Sequence, residues 1–190
     1  MADAITSVLK YLKVEQAILI GHSMGGYVAL AFAEKNPLSV LGLCLVNSTS
    51  KDDSSERKKN RDRAIILVKQ NYKSFVRTSI TNLFRPKNRI LFSEKIKAVK
   101  EEALKTPLQG VIAALEGMKI RKNREPVLQN ASYKKLMIIS KKDPVLNYDD
   151  LVNECKKNKV DMIEFPDGHM SYIENESLFL QRILHFIEKK

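Results

Sequence analysis

Three stretches of this sequence predict an α/β fold built on a parallel sheet. Residues 16–34 (QAILIGHSMGGYVALAFAE) pass from a short apolar run at 17–20, through a glycine-rich turn, into an Ala- and Leu-rich run at 27–33. The first run reads as a buried strand and the second as a buried helix that ends before Pro37. Residues 40–47 (VLGLCLVN) form another continuous apolar run, as expected of a second parallel strand after a crossover. Strand and helix then alternate again near the C-terminus, with strands predicted at 135–140 (KLMIIS) and 160–165 (VDMIEF) around a helix at 149–157.

The remaining elements follow in order. Ala4, Ile5, Val8, Leu9 and Leu12 recur at helical intervals, predicting an amphipathic helix over 3–12. Residues 54–125 show helical patterns and no strand. Ile65, Val68 and Tyr72 are expected on one face, as are Ile96, Val99 and Ala103, and then Val111, Leu115 and Met118. Pro107 is placed to begin the last of these helices, and Pro86 within RPKNR marks a break. A final helix is expected over 176–188, with Asn175 as N-cap and Phe179, Ile183 and Ile187 buried. The organisation read from this is a core segment at 1–50, a helical cap at 51–125 inserted between strands, and a second core segment at 126–190.

Composition narrows the class. A chain of 190 residues, 44% hydrophobic, can bury one sizeable core. It has no apolar stretch of membrane-spanning length, and its start lacks the basic leader and apolar run of a signal peptide, so the expectation is a cytoplasmic protein with no membrane partner. Cys44 and Cys155 are too few for a disulfide framework or a metal site, and Cys44 reads as a small core residue. The net charge of +11 is concentrated in the middle. Residues 51–125 carry twenty Lys/Arg against nine Asp/Glu, whereas 1–50 and 126–190 are each balanced. Without interleaved aromatics, this excess reads as solvated helix faces and not as a nucleic-acid site.

The turn between strand and helix, Gly21-His22-Ser23-Met24-Gly25, has the G-x-S-x-G spacing of a nucleophile elbow. Ser23 is expected on a strained turn at the sheet edge, with Gly21 and Gly25 removing Cβ atoms that would collide there. The Met24 N–H, at the helix start, is placed to hold an oxyanion. A serine hydroxyl needs a base, and the base needs an orienting carboxylate. Asp143 follows the strand ending at Ser140, and His169 follows the strand ending at Phe165, both where open α/β sheets place their sites. His22 is expected to point away from the Ser23 hydroxyl and to support or pack, His185 to be structural, and Asp167 to shape its loop.

AILIGHSMGGYVALAFAEKNP, KKDPVLN and PDGHMSYIEN together resemble the α/β-hydrolase superfamily, in particular its esterase, enol-lactonase and carrier-protein methyl-ester esterase group. The resemblance implies hydrolysis of carboxylic esters or related acyl bonds of small molecules, with no cofactor and no metal, under a helical cap. It makes Ser23 the nucleophile, His169 the general base and then acid, Asp143 its orienter, and the Met24 N–H one oxyanion donor. Bromination or perhydrolysis on the same triad is a variant of that reading. Ser140 stands where the family usually has glycine. About four strands are legible where the family has about eight. The chain therefore resembles the C-terminal two-thirds of such an enzyme, shortened at its N-terminus and lacking the second oxyanion donor. On that expectation the 17–20 strand is an open edge through which copies self-associate. The alternative is a non-catalytic domain of the same fold that acts by binding a partner.

Overall fold

The computed structural model describes residues 1–189, and the last residue of the predicted second core segment, Lys190, lies outside them. The described residues form two compact units, one of residues 1–51 and 123–189 and the other of residues 52–122.

The first unit holds a four-stranded sheet in the order β1-β2-β3-β4, parallel throughout. Helix α1 (Ala2–Tyr11) precedes β1 (Ala17–His22), α2 (Met24–Lys35) and β2 (Val40–Val46). Side chains alternate across the sheet, as the period of two requires. Leu43, Leu45, Met137 and Ile139 face one side and pack with Ala29 and Leu30 of α2. Cys44, Val46, Leu136 and Ile138 face the other and pack with Phe165, Ile183 and Phe186. Both faces are covered, which explains why the middle strands read as unbroken apolar runs. Each buried Leu, Ile, Val, Met or Phe side chain among these contributes about 1.5–3 kcal/mol. β1 stands at one edge among the described residues and Ile20 is exposed, so it is less buried than its sequence predicts. Ile5 and Leu9 of α1 rest against Phe32, Ala33 and Val40.

The second unit is helical: α3 (Ser55–Gln70), α4 (Tyr72–Leu83), α5 (Ser93–Ala103) and α6 (Leu108–Lys119), with a 3₁₀ turn at Pro86–Asn88. Tyr72 does not continue the face of Ile65 and Val68. The side chain of Asn71 accepts the Ser74 N–H at 3.1 Å and caps a new helix, so α3 stops at Gln70. Tyr72 nevertheless packs on the Ile65–Val68–Leu115 cluster. Of the predicted α5 face, Ile96 alone is fully buried. Pro107 caps α6 and does not enter it. Asp53, fully buried, takes hydrogen bonds from Arg57 at 3.2 Å, Arg61 at 3.1 Å and Arg121 at 2.8 Å. Burial pushes its carboxyl up, but the Arg121 and Arg61 guanidiniums more than reverse this and hold it below the usual range.

The first unit resumes with α7 (Glu125–Asn130), β3 (Lys134–Ser140), α8 (Tyr148–Asn158), β4 (Asp161–Phe165), α9 (Ser171–Glu174) and α10 (Glu176–Glu188). On α10 the buried pair is Ile183 and Phe186, and Ile187 is exposed. Asn175 is the N-cap position but makes no side-chain cap bond. Burial raises the thiols of Cys44 and Cys155 to about 12, as befits inert core residues.

The glycines of the turn are not equivalent. A Cβ on Gly21 would lie 2.5 Å from the Gly26 nitrogen and 2.6 Å from the Gly25 carbonyl, backbone atoms that cannot swing aside. One on Gly26 would come within 2.7 Å of the Ser48 Cβ, whereas one on Gly25 would meet nothing within 4 Å. The close strand–helix approach therefore needs Gly21 and Gly26, not Gly21 and Gly25. Gly21→Ala should cost about 1–3 kcal/mol or more of stability through overpacking. Gly25→Ala should be near neutral, and urea midpoints of the two variants test this. Equal losses would show that the turn does not depend on the Gly21 contact.

Candidate active site

Because all four strands are parallel, their C-terminal ends lie at one end of the sheet, and each feeds a loop there. Ser23 follows β1, Asn47 follows β2, Asp143 follows β3 and His169 follows β4.

Ser23 sits at φ 51°, ψ −118°, a conformation that costs a non-glycine residue on the order of 1–3 kcal/mol. The surroundings fix it there. Its N–H donates to the Val46 carbonyl at 2.9 Å, and its carbonyl accepts from the Gly26 N–H at 3.0 Å and the Ser48 hydroxyl at 2.8 Å. Ser48 thereby holds the elbow from the loop after β2, a role with no signature in the sequence. Met24 is the first residue of α2, where a helix has no internal partner for its N–H groups.

His169 is buried, and its Nδ1 donates to Asp143 Oδ2 at 2.8 Å. A carboxylate only accepts, so Nδ1 carries the proton and a neutral ring keeps its lone pair on Nε2. Nε2 is buried and has no hydrogen-bond partner among the described residues. The structure therefore joins Asp143 to His169 and leaves the link from Ser23 to His169 unmade. Such bonds are often long or absent before substrate binds.

Asp143 is held on both oxygens. Oδ1 accepts the N–H groups of Val145 at 2.7 Å and Leu146 at 3.1 Å, and Oδ2 accepts from His169 and from Asn47 Nδ2 at 3.0 Å. Burial pushes this carboxyl up, but the bond and charge of His169 and the two backbone N–H groups outweigh burial and hold it below the ordinary range. Serine at position 140 leaves that turn formed, with the Asp143 N–H on the Ser140 carbonyl at 3.3 Å. Asp167 instead meets the other loop, its carbonyl accepting the Lys142 N–H at 3.0 Å.

Three neighbours were not predicted as part of this arrangement. Asn47 (φ 45°) and Ser171 are both fully buried and bonded to each other, and Glu174 accepts the Gly168 N–H at 3.0 Å to shape the histidine loop. Nothing in the local sequence marks Asn47 and Ser171, which meet across 124 residues of chain, whereas Glu174 lies only six residues beyond the Gly168 it holds. His22 packs against His169. Its Nε2 donates to the His169 carbonyl at 2.8 Å, and its ring lies 5.0 Å from those of His169 and Tyr172. Burial, followed by the neighbouring His169, depresses its pKa to about 4, so it stays neutral at neutral pH and serves as a fixed donor. His185 is exposed on α10. No cluster of three or more His, Cys, Asp or Glu able to hold a metal occurs among the described residues. Nor is any helix among them long and apolar enough to cross a membrane.

Comparison with known proteins places the chain in a family. A family model described as the alpha/beta hydrolase fold matches residues 1–176. An esterase from Thermogutta terrifontis, solved with malate bound, is 27% identical and superposes with a TM-score of 0.91 over 99% of this chain and 71% of that one. The enol-lactonase of Burkholderia xenovorans LB400 shares the fold at a TM-score of 0.87 and 16% identity, over 99% of this chain and 72% of its own. A Serratia proteamaculans (strain 568) protein provisionally named carbamate hydrolase RutD is 31% identical over 84 residues, which are 44% of this chain. That match spans 32% of the relative's length. The chain belongs to the alpha/beta hydrolase fold family.

Proposed function

We propose that this protein is a serine hydrolase that cleaves carboxylic esters or related acyl bonds of small molecules through Ser23, His169 and Asp143. The observation that carries this reading is the Asp143–His169 pair, which leaves a basic Nε2 lone pair at the sheet end where the strained Ser23 also sits. Esterase, lactonase and carbamate hydrolase are the names of similar proteins, and all three reactions begin with attack on an acyl carbon.

The steps follow from the groups in place. His169 Nε2 takes the Ser23 proton as Oγ bonds to the acyl carbon, and the carbonyl π pair moves onto oxygen. Asp143 stabilises the imidazolium so formed, and the Met24 N–H donates to the oxyanion. Collapse breaks the bond to the leaving oxygen, which receives the proton from His169, and Ser23 is left acylated. Water, deprotonated by His169, then adds to the acyl carbon; the bond to Ser23 Oγ breaks, that oxygen takes the proton back from His169, and the carboxylic acid leaves. Hydrolysis of a panel of short-chain aryl and methyl esters tests the proposal. Lack of any turnover that depends on Ser23 would favour a partner-binding role for the same fold.

The acyl group is proposed to be anionic, because the excess of Lys and Arg over residues 51–125 would steer anions toward the protein. For an anionic ester, kcat/KM should fall as salt is added, while that for a neutral ester of similar size should hold steady. If both esters respond alike, the charge is ordinary solubilising surface.

A further inference from the structure

We propose that Asn47 is the positioning residue for Asp143, a role that rests on the reading of Ser23, His169 and Asp143 as the triad. Asn47 lies one residue beyond β2 in a left-handed conformation that asparagine tolerates better than most side chains. Its own N–H donates to the Ile138 carbonyl of β3 at 2.8 Å, which anchors the backbone. Its side chain spans the site. Nδ2 donates to Asp143 Oδ2 at 3.0 Å, and Oδ1 accepts from the Ser171 hydroxyl at 2.6 Å. One amide therefore ties together the loops after β2 and β3, which carry itself and the acid, and the start of α9, two residues beyond the histidine.

The chemistry requires an amide. Asp143 Oδ2 is the atom that receives His169 Nδ1, so a second donor on the same oxygen fixes its direction and steadies its charge. Ser171 has a hydroxyl proton to give, so the other end of the same group must accept. Leucine would match the shape and supply neither function. Aspartate supplies both only while protonated, when its O–H can donate to Asp143 as the amide does. Once ionised it sets a second carboxylate against the first, and like charges at such a distance disfavour each other.

That difference gives the test, with a p-nitrophenyl ester as substrate and the proton resonance of His169 Nδ1–H as a readout that needs no turnover. Asn47→Leu should lower kcat by roughly 10²-fold at every pH with KM little changed, the cost of a misplaced orienting group. Asn47→Asp should approach wild-type kcat at low pH. It should then lose activity about tenfold per pH unit once the introduced carboxyl ionises, a descending limb that the wild type lacks. The Nδ1–H resonance should move or broaden over the same pH interval in Asn47→Asp alone. Ser171→Ala, which leaves Asn47 in place, should show a smaller loss of kcat. Parallel losses in both Asn47 variants at all pH values, tracking their melting temperatures with an unaltered resonance, would reduce Asn47 to a structural residue. If the wild type shows no Ser23-dependent turnover, the hydrolase reading fails. The resonance then decides the link from Asn47 to Asp143 by itself: movement with the introduced carboxyl supports it, and an unmoved signal overturns it.

Discussion

Replacement of Ser23 by alanine is expected to abolish covalent labelling by a fluorophosphonate and to lower ester turnover by roughly 10⁴–10⁶-fold. The expectation follows from the turn that holds this residue. The backbone at φ 51° is kept there by bonds to Val46, Gly26 and Ser48, and none of these uses the Ser23 side chain. Alanine should therefore fold into the same turn, and the loss should be chemical, with melting temperature little altered. The phosphonate reads the same point directly, since it bonds only to an activated oxygen nucleophile. Labelling of the alanine variant equal to that of wild type would place the nucleophile elsewhere.

The second large effect belongs to the histidine and its acid. His169→Ala removes the base, and Asp143→Asn should cost turnover on the order of 10⁴-fold, as when a triad acid becomes an amide. An amide at 143 can donate a hydrogen bond to Nδ1. The ring then takes the opposite tautomer, with the hydrogen on Nε2 and no lone pair for the serine proton. Asp167→Asn serves as the control. Asp167 is nearer to His169 in sequence, but the carboxylate on Nδ1 is that of Asp143. If Asp167→Asn proved as damaging as Asp143→Asn, the acid assignment would fall. Acid should weaken the same pair. The folded-state pKa of Asp143 is depressed, so its contribution to stability is present above the ordinary carboxylate range and is lost as pH falls through the lowered value.

The sequence by itself determined the elements and their order. Period-two burial on both faces of a sheet makes a strand such as β2 apolar throughout, and that signal is local. The Gly–x–Ser turn between strand and helix is local too, as are the placements of Asp143 and His169 just past strand ends. Where the local pattern misled, the cause was a capping contact or a small rotation of the helix. Asn71 ended α3 before Tyr72, and α10 turned Phe186 inward where Ile187 was expected.

Only the tertiary structure decided how the site is held together. The partners of Asp143 at Asn47 and of Asn47 at Ser171 are 96 and 124 residues apart in the chain, and the tie from His22 to the His169 carbonyl crosses 147. Each bond needs two strand-end loops to meet in three dimensions. No spacing along the chain encodes such a meeting, because the crossover connections between parallel strands vary freely in length while the strand ends stay adjacent. The same reason exchanged the two glycines: Gly26 is required by Ser48, which reaches it from the loop after β2, whereas Gly25 opens to space.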